Sequence, residues 1–188
     1  MTEITVYYRP MGEERSDVLL RLAASRFTGI PPGEFEILRE PGKKPLFLRP
    51  PDLFASVSHS GGVWAAAFSR EFPVGLDIQK SVAPLRRDKI ALRYFHPEEA
   101  RAVLSDPDPD AAFCRIWCRK EAVSKLPGRG IDAEFSSFDT TRAGDGITPV
   151  SAYGSDLFAA DFSLPGFPDL LASAAAPCPL RVLPVLFT

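Results

Sequence analysis

Residues Trp117–Lys125 read WCRKEAVSK. At about 100° per residue, Phe113, Trp117, Glu121 and Lys125 fall at roughly 0°, 40°, 80° and 120° of a helical wheel. One carboxylate and one ammonium therefore share a stripe with two large aromatics. Cys114, Ile116, Cys118 and Lys120 flank that stripe, while Arg119 and Ala122 point away from it. Charges are seldom set on an apolar helix face without partners. An i,i+4 Glu–Lys pair on a solvated face is the plain alternative, but the aromatic and thiol neighbours favour a lined cleft. An acid there suits a hard metal ion and a lysine suits a phosphate. Mg²⁺ commonly takes one or two carboxylates together with phosphate oxygens and water.

This helix is expected over about 111–125, stopped by Pro127 and Gly128. Upstream, ITVYY reads as a strand and ERSDVLLRLAASRF as an amphipathic helix. FEIL and PLFL read as short strands, and the run from Pro50 to Ser69 as two apolar strands around a Ser/Gly turn. VGLDIQ alternates, with Val74, Leu76 and Ile78 on one face and Gly75, Asp77 and Gln79 on the other. DKIALRYF and HPEEARAVL are expected helices, the second with His96 at its cap and Pro97 at its start. SDPDPDA is expected as a loop. Five strands are expected after Ile131: FSSFDT, TPVSAY, LFAADFSL, LLASAAA and LRVLPVLF. The order strand–helix–strands occurs twice, so the class is α+β, with an N-terminal α+β half over 1–74 and a C-terminal α+β half over 75–188.

Composition narrows the function. The chain has 188 residues, 45% hydrophobic and 24% charged, which fits a soluble globular protein. A formal net charge of −2 gives no global pull toward nucleic acid. No run nears the roughly eighteen apolar residues of a membrane span. The start carries no basic, apolar, small-residue leader, so a cytoplasmic protein is expected. Cys114, Cys118 and Cys178 lack a metal or disulfide spacing and are expected as free thiols, the first two buried.

Other segments carry possible chemistry. Asp77 lies in an apolar strand, so it pairs with a cation, binds a metal or caps a turn. Gly75, on the same face, leaves room for a ligand. Ser58 and His59 lie in SVSHSGG. That segment lacks the first glycine of a G-x-S-x-G elbow, so a hydrolase is disfavoured. It reads as an anion-facing loop or as a plain turn. Lys43 and Lys44 precede Pro45. Arg15 and Ser16 stand where a helix start could meet an anion. Gly128-Arg129-Gly130 reads as a helix stop.

The order of GKKP (42–45), SVSHSG (56–61), VGLDIQ (74–79), FHPEEA (95–100) and WCRKEAVSKLPGRGI (117–131) resembles the Sfp-type branch of the 4′-phosphopantetheinyl transferase superfamily. The carrying pieces are a G-x-D strand, here Gly75-Leu76-Asp77, and a W-x-x-K-E-A-x-x-K helix. The resemblance implies two similar α+β halves in a pseudo-twofold arrangement, with coenzyme A and Mg²⁺ in the cleft between them. It implies transfer of 4′-phosphopantetheine to a serine of an apo acyl or peptidyl carrier protein. Two halves in one chain favour a monomer.

Residue by residue, the resemblance implies Asp77 and Glu121 as metal ligands, with Glu121 also the base for the serine. Lys125 would meet the reacting phosphates, His59 the pyrophosphate, and Lys44 the adenosine end, with Ser58 also among the coenzyme A-binding residues. Arg15 and Ser16 would meet the 3′-phosphate. Gln79 departs from the pattern, since many members place a second acid there; a neutral amide is a weaker Mg²⁺ ligand. Basic residues that some members place before the first helix have no clear counterpart. Carrier proteins are typically acidic helical bundles, so Arg86, Arg87, Lys89 and Arg93 form an expected docking stretch. The rival reading is a non-catalytic module that binds coenzyme A or a carrier protein.

Overall fold

The computed structural model describes residues 1–141 and 146–187. In chain order the elements are β1 (Thr2–Pro10), α1 (Ser16–Thr28), β2 (Glu36–Leu38), β3 (Leu46–Arg49), β4 (Phe54–Ser60), β5 (Val63–Ser69) and β6 (Gly75–Lys80). Then come α2 (Arg87–Tyr94), α3 (Pro97–Ser105), α4 (Pro109–Lys125), β7 (Ile147–Ala152), β8 (Ser155–Phe162), β9 (Leu170–Ala176) and β10 (Leu180–Leu186). The class is α+β, as expected.

Two four-stranded sheets, β10-β1-β5-β4 and β6-β9-β8-β7, pack face to face, and β2-β3 forms a separate hairpin. Their shared core holds Ile4, Val6, Ala65 and Ala67 from one sheet and Leu76, Ile78, Ala172 and Ala174 from the other. The alternate side chains point outward under helices. Trp64, Ala66 and Phe68 meet Leu19, Leu20 and Ala23 of α1. Ala159 and Ala175 meet Phe113, Ile116 and Val123 of α4. The layers thus run α1, sheet, sheet, α2–α4. Burial on both faces explains why residues 63–68 form an unbroken apolar run instead of an alternating one. The last strand, β10, runs parallel to β1 and completes the first sheet.

The two sheets also meet at one edge. β4 and β6 are edge strands of different sheets, and no backbone ladder joins them. Edge strands leave N–H groups unpaired. Here serine hydroxyls take their place. The N–H groups of Leu76, Ile78 and Lys80 donate to Oγ of Ser56, Ser58 and Ser60 at 3.1, 3.2 and 3.0 Å. The alternating serines of SVSHS are therefore the seam between the sheets, a role that the sequence alone does not disclose.

Three local expectations change. FSSFDT is not a strand; it is a series of turns. Phe135 and Phe138 are three apart, and both enter the core under α4. The Asp132 and Asp139 carboxylates accept from the N–H groups of Glu134 and Thr141, at 2.9 and 2.8 Å, which bends the chain. Helix α4 begins at Pro109, inside the expected loop. Asp108 caps it by accepting from Ala111 N at 3.1 Å, and Pro109 fits the first turn, where no N–H partner is needed. Gly75 makes no room for a ligand. A Cβ there would lie 1.8 Å from the carbonyl oxygen of Ala122, so the space belongs to helix α4. His96 caps α3 as expected, with Glu99 closing the box.

Candidate active site

The bare Gly75 lets α4 lie directly on β6, and this close approach puts Lys125 beside Asp77. Lys125 Nζ stands 2.7 Å from Asp77 Oδ1. Ser58 Oγ donates to the same oxygen at 2.8 Å and accepts from Lys125 at 3.4 Å. Cys118, two turns before Lys125, points its thiol at the Asp77 carbonyl at 3.3 Å, fixing helix to strand. Burial pushes the Cys118 thiol well above its usual range, so it is an inert packing group. Both Cys114 and Cys118 are free and buried, as expected.

Glu121 is half-buried and faces this cluster. Burial and, next, the Asp77 charge raise its pKa, while Lys125 opposes the shift. No hydrogen bond or ion pair reaches its carboxylate among the described residues. Asp77 and Glu121 thus set two carboxylates against one ammonium, Lys125, and leave one negative charge for a further cation. Their hard oxygen donors fit Mg²⁺, which needs only one or two protein carboxylates. Gln79, on the same strand face, supplies no charge. Among the described residues no group of three or more His, Cys, Asp or Glu converges.

A cavity of about 310 Å³ opens from Lys125, walled by Ser16, Arg39, Lys43, Lys44 and His59. His59 alternates out of the serine seam and is exposed there. Ser16 is held at the start of α1 by Trp64, whose Nε1 donates to its hydroxyl at 2.9 Å. Lys44 Nζ donates to the carbonyls of Val74 at 2.5 Å and Leu126 at 3.4 Å, binding the β2–β3 loop to β6 and α4. Burial and the nearby Lys125 charge lower its pKa to about 8. Arg15 stands apart from this wall. It is exposed and pairs with Asp17 at 3.1 Å. On the far side of Glu121, an apolar groove of about 500 Å³ runs from Gln79 and Trp117 past Phe113 and Ile90 to Val82 and Pro84. Beyond it Arg86, Lys89 and Arg93 are exposed, whereas Arg87 is held between Asp88 and Asp110.

Two features of the site take their neighbours from the fold alone. Lys120, beside Glu121, is fully buried. It pairs with Glu99 at 2.8 Å and donates to Phe138 O at 2.7 Å. The wheel angle puts it near Glu121, but only the fold supplies Glu99 as its partner. The Tyr153 hydroxyl is buried without a hydrogen-bond partner among the described residues, and it feels the charge of Glu121. The tight turn that places Tyr153 there, at φ 55° and followed by Gly154, is a hairpin feature.

Residues 73–164 match the family described as the 4′-phosphopantetheinyl transferase superfamily. The chain is 33% identical over 132 residues to the 4′-phosphopantetheinyl transferase psf-1 of Bacillus pumilus, covering 69% of this chain and 55% of that protein. It is 32% identical over 137 residues to a 4′-phosphopantetheinyl transferase of Bacillus subtilis, covering 71% and 59%. It is 31% identical over 136 residues to 4′-phosphopantetheinyl transferase Sfp of Bacillus subtilis strain 168, again covering 71% and 59%. These matches span little more than half the length of the relatives. The matched segment holds β6 and α4, the two elements that bring Asp77, Glu121 and Lys125 together, and the chain belongs to the 4′-phosphopantetheinyl transferase superfamily, in its Sfp-type branch.

Proposed function

We propose that the protein transfers the 4′-phosphopantetheine group of coenzyme A to a serine of an apo acyl or peptidyl carrier protein, with Mg²⁺. The observation that carries this reading is the meeting of Asp77, Lys125 and Glu121 at the head of a cavity walled by Lys44 and His59. The sheet β10-β1-β5-β4 with α1, and the sheet β6-β9-β8-β7 with α2–α4, would hold coenzyme A between them, so the C-terminal strand of the 75–188 half sits with the 1–74 half. A cytoplasmic monomer is the form we propose; no helix among the described residues is long and apolar enough to cross a membrane.

The carrier serine oxygen bonds to the phosphorus that bears pantetheine. The bond from that phosphorus to the bridging oxygen breaks, and its electron pair leaves with adenosine 3′,5′-bisphosphate. Asp77 and Glu121 would hold Mg²⁺, which when bound neutralises the pyrophosphate and stabilises the transferred group. Glu121 takes the serine proton, directly or through water, and its raised pKa suits that task. Lys125 and His59 offset charge growing on the leaving phosphate. Lys44 meets the adenosine end, and Ser16 with Arg15 the 3′-phosphate. The carrier docks along α2, where Arg86, Lys89 and Arg93 are exposed beside the apolar groove.

The test incubates the protein with coenzyme A, Mg²⁺ and a panel of apo carriers, scored by mass. A gain of one phosphopantetheine is expected with at least one carrier. Asp77→Ala and Glu121→Gln should each abolish it without loss of the folded state by circular dichroism. A second reading rests on Gln79 and the absence of a third converging acid: a module that binds coenzyme A or a carrier without turnover. Coenzyme A binding with no mass gain on any carrier would favour it.

A further inference from the structure

Ser58 stands in the pyrophosphate-facing motif, yet its hydroxyl has no capacity left for a phosphate. A hydroxyl offers one donor and two acceptor sites. Ser58 donates to Asp77 Oδ1 at 2.8 Å, accepts from Ile78 N at 3.2 Å and accepts from Lys125 Nζ at 3.4 Å. It is also 7% exposed, in contact with an Asp77 that is 6% exposed. Its neighbours on the seam differ. Ser56 and Ser60 accept from Leu76 N and Lys80 N, and no hydrogen bond joins either to Asp77 among the described residues.

We propose that Ser58 is a positioning residue that fixes the Asp77 carboxylate for a divalent cation. The inference rests on the metal role given to Asp77 above. Ser58 and Lys125 together occupy Oδ1, which leaves Oδ2 without a hydrogen bond among the described residues. A carboxylate held through one oxygen presents the other in a single orientation, and such supporting bonds to ligating carboxylates set metal affinity. The backbone carries half of the constraint. Because Ile78 N also binds Ser58, the serine cannot rotate away without leaving a β6 N–H unpaired. The seam bond and the carboxylate bond thus meet in one side chain.

The test reads Mn²⁺ binding by electron paramagnetic resonance on the full chain, without coenzyme A or a carrier. Ser58→Ala should weaken Mn²⁺ about ten-fold, in line with the loss of a group that supports a metal ligand. Ser58→Cys, close to serine in volume and a poor donor, should do the same and guards against a folding failure of the alanine variant. Ser58→Thr, which keeps the hydroxyl, should stay within about two-fold of the parent. Ser56→Ala removes an equivalent buried seam bond and should leave Mn²⁺ binding unchanged. Parent-like binding by Ser58→Ala or Ser58→Cys would overturn the proposal. So would equal weakening by Ser56→Ala, which would place the effect in the seam, and so would a parent chain that binds no Mn²⁺. A protein that binds Mn²⁺ in this pattern but transfers nothing would refute the transferase reading and leave the role of Ser58 standing.

Discussion

Lys44 joins structure to ligand at the scale of one side chain. Its ammonium is spent on two backbone carbonyls and sits near Lys125, and its pKa falls to about 8. A lysine whose folded pKa lies below its unfolded value is disfavoured as a cation in the fold. The ligand-free protein should therefore gain stability from this group as pH rises from about 8 toward the unfolded value. Phosphate binding has the opposite sign, because it needs the ammonium. Affinity for adenosine 3′,5′-bisphosphate should fall between pH 7 and 9, by at most about ten-fold if only protonated Lys44 binds. Calorimetry in buffers of different ionisation enthalpy should show proton uptake near pH 8. Lys44→Ala should bind more weakly and with a flat profile over the same range; an unchanged slope in that variant would remove Lys44 from the ligand site. The resemblance to the family, through GKKP, is what assigns Lys44 to the adenosine end. The tie to Val74 and Leu126 depends on backbone atoms brought in from distant elements, and no residue pattern encodes those.

Between elements, the decisive contact is α4 on β6. It exists because Gly75 lets the Ala122 carbonyl approach where any Cβ would stand 1.8 Å away. Neither backbone can yield without pulling Lys125 from Asp77 and Cys118 from the Asp77 carbonyl. Gly75→Ala should cost about 3 kcal/mol or more, at the upper end of overpacking effects. Urea unfolding measures it directly. A loss under about 1 kcal/mol would show that the helix slides freely over the strand. This pair of elements also marks how far the sequence was legible. The wheel position of Glu121 and Lys125, and the alternation around Asp77, are local periodicities, so they could be read in advance. Gly75 reads as ligand space because a missing side chain looks the same whether a ligand or a helix fills the gap. FSSFDT reads as a strand because its aromatic β-formers outweigh the Asp132 and Asp139 turn chemistry. Lys120 had no visible role because its counter-charge, Glu99, lies on another helix. The serine seam was hidden for the same reason: its partners are the N–H groups of β6, and every strand has those.

Across the whole molecule, two face-packed sheets with helices outside leave the β4–β6 seam and the end of α4 on one side. The shared core and the β1–β10 pairing make the sheets one body, so the site is built on rigid elements and α2 flanks it at a fixed distance. That geometry bears on the proposed carrier partner. The net charge of −2 gives no overall attraction to an acidic partner, so steering must come from a local patch. Arg86, Lys89 and Arg93 supply one, at the end of the groove that starts at Gln79 and Trp117. Arg87 does not, because Asp88 and Asp110 already hold it between α2 and the start of α4. Charges on such a rim act mainly on encounter and are screened over about 8 Å at physiological ionic strength. Doubly reversed Arg86→Glu/Lys89→Glu should therefore raise the KM for carrier by roughly ten-fold at low salt and remove most of its salt dependence. Binding of adenosine 3′,5′-bisphosphate, which involves the opposite side of Glu121, should not change. Arg87→Ala should instead lower the unfolding temperature and leave the carrier KM near that of the parent. If reversal of Arg86 and Lys89 leaves the KM untouched while Arg87→Ala raises it, the carrier docks elsewhere. In that case the α2 charges serve only to hold α2 against α4.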